Sequence, residues 1–267
     1  MSQSLAATAK ACLNDIVNYK PLYAPQDDIP WRDKWLQYKY WVRNYMTVAS
    51  MTFKVGGPIK LVKYIIEYPW LYDMVKCNAM FQRALYGRSG NYREAICVAF
   101  DEVVHSTVDF LAWSVSTPDT LVLQEDMVPP EILRAMGLYN WIPEVFGILG
   151  TMIDQHASER YIDFAENAGI APDSCTLPKL TMGISIAGHC PKGIAAVSSN
   201  LPCDAGATSY TLISQKGGNI PTYRLDVPHY FKEERGVELF VEDMKQMVKW
   251  LEEHTSGRMD WNKLREI

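Results

Sequence analysis

Residues 174–210 read SCTLPKLTMGISIAGHCPKGIAAVSSNLPCDAGATSY, and this stretch decides the fold. Three of the six cysteines fall within it: Cys175, Cys190 and Cys203. The run 194–199, made of small and β-branched residues, leads straight into Asn200-Leu201-Pro202-Cys203-Asp204-Ala205-Gly206. That order predicts a buried strand, a tight turn and a helix. In open α/β sheets, ligands bind beyond the carboxyl ends of the strands. Cys203 is therefore expected where such a fold keeps its chemistry.

Outward from this stretch, short apolar runs alternate with helical patterns from about residue 117 onward, which argues for βαβ units and a parallel sheet. Strands are expected at 121–123, 138–142, 194–199 and 222–227. Pro129-Pro130-Glu131 opens a helix that Gly137 closes. A long helix is expected over 143–168, and another over 205–215 after Cys203. Asp173 or Ser174 can cap the helix that carries Cys175 in its first turn. An amphipathic helix spans 234–254, and Asp260 caps a last one. Residues 261–267 read as the first turns of a longer helix, so the chain is expected to be part of a larger protein, or a subunit whose site is completed elsewhere.

The first 116 residues read as a helical region. Trp31, Trp35, Tyr38, Val42, Tyr45 and Met46 recur at three- and four-residue spacing and form one apolar stripe. Gly56-Gly57-Pro58 ends that helix and starts the next, in which Pro69 makes a bend or break. A third helix is expected over 92–113. Cys77, Cys97 and His105 read as core residues rather than ligands. The expected architecture is thus α/β: a helical N-terminal lobe (1–116), then a small Rossmann-like or flavodoxin-like domain (117–267) with a parallel four-stranded sheet flanked by helices.

Composition narrows the function classes. The formal net charge of −5 over 267 residues points away from nucleic acid and anionic membrane. No apolar run reaches the roughly 18 residues of a membrane span. The N-terminal MSQSLAATAKACLNDIVNYK reads as an amphipathic helix start rather than a signal peptide. A cytoplasmic, reducing location follows, in which cysteines serve as thiols or metal ligands. The 12 Met and 8 Trp can fill a sizeable, irregular core.

Cys175 and Cys203 both stand at helix starts, where free backbone N–H groups and the helix dipole favour anions. Thiolates gathered at one sheet edge suit a soft metal or an iron–sulfur cluster, but on spacing alone buried structural thiols are the commoner case. Cys190, beside His189, is a further candidate ligand or a packed thiol. Glu144, after the second strand, can be an acid or base or a first-turn charge complementing the helix dipole. Asp126 and Glu131 read as first-turn carboxylates, and Asp226 with His229 as a turn or an Asp–His pair. No phosphate loop or nucleophile elbow is present.

Taken in order, four stretches resemble the N-terminal α/β domain of the 2-hydroxyacyl-CoA dehydratase and benzoyl-CoA reductase family, whose members include the 2-hydroxyglutaryl-CoA dehydratase D-component. These are Val128-Pro129-Pro130-Glu131-Ile132-Leu133 through Ile142-Pro143-Glu144; Asp173-Ser174-Cys175; Leu201-Pro202-Cys203-Asp204; and the segment from Pro221 to Pro228 with Leu251-Glu252-Glu253 and Met259-Asp260-Trp261. The resemblance implies a 4Fe–4S cluster with Cys175 and Cys203 as two ligands, and a third ligand from a second α/β domain that has no counterpart in this chain. It implies Glu144 as an acidic catalytic residue near an acyl-CoA substrate. Asp126 falls at a substrate-binding position where the family's dehydratases carry a small hydroxyl residue. It further implies a second homologous subunit and an ATP-dependent activator protein that injects one electron for ketyl-radical elimination of water. Reduction of an aromatic acyl-CoA, a cluster-containing reductase acting on small non-CoA molecules, and a non-catalytic scaffold subunit are the alternatives.

Overall fold

The computed structural model describes residues 29–153, 156–201, 203–228, 230 and 232–267. The helix expected over the first 20 residues, and the imidazole of His229, lie outside the described residues. The chain divides into two compact units, Met1–Trp113 with Leu149–Ala157, and Ser114–Ile148 with Ser158–Ile267.

The first unit is helical. Helix α1 spans Trp31–Lys54, α2 Pro58–Glu67 and α3 Cys77–Leu85, and α4 begins at the start of Gly90–Ser116. Gly56 and Gly57, both at positive φ, turn the chain between α1 and α2, and Pro58 takes the first helical position. After Tyr68 the chain tightens into a 3₁₀ segment, Pro69–Lys76, so Pro69 redirects the chain rather than bending one long helix. Trp70, Met74, Cys77, Phe81, Leu85, Cys97 and Val104 are buried. Burial pushes the Cys77 and Cys97 thiols up, to about 12 and about 11.

The aromatic stripe on α1 turns the other way from a core face. Trp31, Trp35, Tyr38 and Met46 are 78%, 57%, 57% and 67% exposed, while Asp33, Asn44, Thr47 and Met51 are buried. Periodicity fixes a face but not the direction it points. Here polar bonds to α4 decide the direction. Asp33 accepts from the Gly90 N–H at 3.1 Å, Thr47 Oγ1 lies 3.2 Å from His105 Nδ1, and Arg43 pairs with Asp101 at 2.7 Å.

The second unit is an α/β layer structure. Its sheet has the order β2-β1-β3-β4, with β1 Leu121–Gln124, β2 Tyr139–Trp141, β3 Ala195–Ser199 and β4 Thr222–Leu225. Every pairing is parallel. The central strands β1 and β3 are buried along their whole length, which is why they read as continuous small and apolar runs. The edge strands β2 and β4 are partly exposed.

The connecting helices are α5 Pro130–Ala135, α6 Pro143–Ile153, α7 Glu159–Asn167, α8 Thr176–Ile186, α9 Asp204–Lys216, α10 Glu234–His254 and α11 Trp261–Glu266. Val122, Ala195 and Val197 pack on Val128, Ile132 and Leu133 around α5 and on Met247, Val248 and Leu251 of α10. The helix expected over 143–168 is two helices. Ser158 turns back, its hydroxyl 3.4 Å from the Gly147 carbonyl, and α7 then packs on α8. There Gly183 fits against the Tyr161 carbonyl so closely that a Cβ would stand 1.8 Å from that oxygen. Asp260 caps α11 as expected, its carboxylate accepting from the N–H groups of Asn262 and Lys263, each at 3.0 Å.

Candidate functional site

The strand order dictates where a site can form. From β1 the chain crosses to β2 on one side, then returns to β3 on the other side of β1 and continues outward to β4. The direction of winding reverses between β1 and β3, and the crevice beyond their carboxyl ends is the switch point. Gln124, Glu125 and Asp126 lie at the tip of β1, Ser199 at the tip of β3, and Glu144 in the first turn after β2.

Glu125 is buried beyond the end of β1. Its backbone N–H continues the ladder to Val197 O at 3.0 Å, and its carboxylate accepts the Ser199 N–H. Burial pushes its pKa up, and the bonds from Ser199 pull in the opposite direction. Gly206 in the first turn of α9 admits this side chain: a Cβ there would lie 3.1 Å from Glu125 Oε1. Asp126, one residue on, is exposed in the turn.

Glu144 is only 4% exposed. Its Oε2 lies 3.1 Å from Tyr210 Oη of α9, and its Oε1 is 3.5 Å from Thr181 Oγ1 of α8. Burial pushes the carboxyl up to about 8; the negative neighbours Asp126 and Glu125 add to the rise, while its own N–H and Tyr210 oppose it. At neutral pH Glu144 is therefore mostly a neutral acid, able to donate a proton. Tyr210 is fully buried, donates to the Gln124 carbonyl, and has its own ionisation pushed far up by burial and by Glu144.

Cys203 is the N-cap residue of α9 and Cys175 the N-cap residue of α8, one position earlier than a first-turn placement. Neither side chain makes a capping hydrogen bond. Both thiols are free, Cys175 exposed and Cys203 half-buried. Helix α8 runs on to the loop that feeds the amino end of β3, where Ile194 N–H bonds Leu121 O at 2.9 Å. Its Cys175 end therefore lies toward the carboxyl edge, as does the start of α9. Cys190 lies in that feeding loop, its thiol pushed up to about 12 by burial, with a bond from Ser185 opposing. Its neighbour His189 bonds Tyr161 Oη at 3.2 Å, and burial and Arg160 lower its pKa. Among the described residues, no group of three or more His, Cys, Asp or Glu stands close enough to hold a metal ion. In kind, two free thiols at neighbouring helix starts fit part of a thiolate ligand set, and further ligands would have to come from elsewhere.

Residues 127–267 match the family model of the 2-hydroxyglutaryl-CoA dehydratase D-component. The chain belongs to the 2-hydroxyglutaryl-CoA dehydratase D-component family. The match takes in Glu144, Cys175, Cys190 and Cys203 and begins just after Asp126. No curated protein matches the chain. Membership makes the chain a dehydratase-type enzyme subunit, its family one of cluster-containing components that act on acyl-CoA with partner subunits. No helix among the described residues is long and apolar enough to cross a membrane.

Three buried residues near these candidates carry no local signature. Glu125 stands one residue beyond the end of a three-residue apolar run, after Gln124, and reads as part of a turn. Tyr210 reads as one more apolar position of α9. Lys179 is buried and bonds Glu166 Oε1 at 2.7 Å and the Pro172 carbonyl at 2.6 Å, which ties down the turn leading to Cys175. The available hint was the polar triplet Gln124-Glu125-Asp126 at the end of an apolar strand.

Proposed function

We propose that this chain is a subunit of a cytoplasmic 2-hydroxyacyl-CoA dehydratase-like enzyme that eliminates water through a ketyl radical of the substrate. An ATP-dependent activator protein supplies one electron, and a second homologous subunit completes the site. The observation that carries the reading is a buried Glu144 at the carboxyl edge of the sheet, beside two helices that each begin with a free cysteine, within the residues that match the dehydratase family. Cys175 and Cys203 would hold the 4Fe–4S cluster, with Cys190 a further candidate. The cluster, when bound, supplies a low-potential electron and an iron able to polarise a substrate oxygen.

The protein's own residues handle protons. Elimination turns a 2-hydroxyacyl thioester into an enoyl thioester and water, and the electron that enters is returned at the end. Glu144 begins protonated. It gives its proton to the departing hydroxyl as the C2–O bond breaks, and water leaves. The carboxylate so formed accepts the proton lost from C3, which restores the acid. One carboxyl can serve both steps only if it starts neutral, and burial arranges that. Asp126, exposed at the mouth, is a substrate-binding candidate.

The test is anaerobic production of the chain with a second homologous subunit, followed by iron and sulfide analysis, EPR, and assay with 2-hydroxyacyl-CoA, activator and ATP. We expect bound iron that Cys203→Ala or Cys175→Ala removes, and elimination that Glu144→Gln abolishes. Iron-free, colourless complex would overturn the reading. A complex that carries iron but reduces an aromatic acyl-CoA, and leaves 2-hydroxyacyl-CoA untouched, would move it to the reductase branch.

A further inference from the structure

Tyr210 Oη stands between two acceptors and has one hydrogen. It bonds the Gln124 backbone carbonyl, and it lies 3.1 Å from Glu144 Oε2. A carbonyl oxygen can only accept. If the phenol turned its hydrogen to Glu144, two oxygens would face each other, lone pair to lone pair, at the Gln124 contact. That would leave a buried acceptor unsatisfied. The hydrogen therefore belongs to Gln124, and the Glu144 contact needs a hydrogen of its own, which only a protonated carboxyl can supply. Glu144's own backbone N–H also reaches its carboxyl. Thr181 Oγ1 is on the other oxygen at 3.5 Å and has a nearer acceptor in Leu177 O at 3.2 Å.

We infer that Tyr210 is a positioning residue: its hydroxyl accepts the proton of Glu144 Oε2 and donates to Gln124 O, so that Glu144 is stored as an oriented acid. The inference rests on the reading of Glu144 as the proton donor of the reaction, and it names what orients that donor, while burial keeps it protonated. The chain of bonds runs from Glu144 through Tyr210 to the last residue of β1, so the acid is anchored to the sheet rather than to a mobile loop. The charged groups around it act in the same sense. Glu125 and Asp126 from the β1 tip disfavour a carboxylate at Glu144. Tyr210 feels Glu125 and Cys190 as well as Glu144, all of which keep its phenol neutral. Tyr210 sits on the buried side of α9 with Ile213, so it can be neither solvated nor swung away without opening the core.

The test needs neither cluster nor substrate. Infrared difference spectra of the protein, recorded against Glu144→Gln, isolate the C=O stretch of the protonated Glu144 carboxyl at neutral pH. A carboxyl that donates a hydrogen bond absorbs at lower frequency than a free one. Tyr210→Phe keeps the buried ring and removes the acceptor, so the band is expected to move to higher frequency. Should Tyr210→Phe fold poorly, 3-fluorotyrosine at position 210 gives the second arm. Its weaker acceptor oxygen shifts the band in the same direction by a smaller amount. The inference is overturned by a band that neither replacement moves, or by a band that moves to lower frequency. The absence of any neutral-carboxyl band sensitive to Glu144→Gln would overturn it too. A shifted band in a complex that eliminates no water would leave Tyr210's role standing and remove the dehydratase reading instead.

Discussion

The carboxylate of Glu125 accepts the backbone N–H of Ser199, so one buried side chain joins the tips of β1 and β3 where the winding of the sheet reverses. Truncation to Ala strips that N–H of its acceptor in a buried place. Glu125→Ala should cost about 2–3 kcal/mol, in line with an unsatisfied buried group that had been bonded to a carboxyl. Glu125→Gln keeps an acceptor oxygen and should cost well under half as much. Urea unfolding of the two variants checks the ratio, and equal losses would mean that the charge, not the bond, matters.

Lys179 is the corresponding tie for the turn before Cys175. Its ammonium is 2% exposed, while its partner Glu166 is about a third exposed, so solvent screens part of the pair. Lys179→Met should lower stability by about 1–2 kcal/mol, through the lost bonds to Glu166 and to the Pro172 carbonyl, which solvent can partly satisfy. Faster amide hydrogen exchange over residues 168–176 should follow, with little change in the sheet. Exchange that rises uniformly across the second unit would show that Lys179 supports the core and not the turn.

Gly183 permits the close approach of α8 to α7. With a Cβ only 1.8 Å from the Tyr161 carbonyl oxygen, Gly183→Ala cannot be absorbed by a rotamer change, because the obstacle is backbone. We expect a loss of about 3 kcal/mol or more. Gly169→Ala also strains the chain, at a positive φ of 97°, but meets nothing within 4 Å and should cost less. Thermal unfolding of both variants ranks them.

Stability should also depend on pH through Glu144. Its folded carboxyl titrates near 8, against an ordinary value of 4.5, so between these values the folded state holds a proton that the unfolded chain has released. The associated stabilisation is fully present below the unfolded value and is lost as pH rises through the folded one. The slope is at most about 1.4 kcal/mol per pH unit in that window. Glu125, also shifted upward, adds to it. Denaturant unfolding at about pH 5 and about pH 9 should show the decline, and Glu144→Gln should flatten most of it. A variant as pH-sensitive as the parent would place the titration elsewhere.

How much of this was legible follows from how far each signal reaches along the chain. Strands β1 and β3 announce themselves because both faces are buried, so the run of small and apolar residues is local evidence. The helix starts at Cys175 and Cys203 are likewise read from neighbours, off by no more than a residue. The outward turn of the α1 aromatics and the break after α6 were not legible, because contacts between elements decide both. Tyr210 meets Gln124 across 86 residues and Glu144 across 66, and Glu125 meets Ser199 across 74. No period or motif records a hydrogen bond over such distances.

Among the described residues strand β4 holds the last position of the sheet, and its composition bears on self-association. An edge strand offers free backbone donors and acceptors on which another chain can template itself. This one has four residues, exposes Thr222 and Arg224, and lies between Pro221 and Pro228. A guest strand would find a short row, a repelling cation, and a proline without an N–H at each side. The rim that continues the sheet outward is thus guarded against accretion by its own sequence.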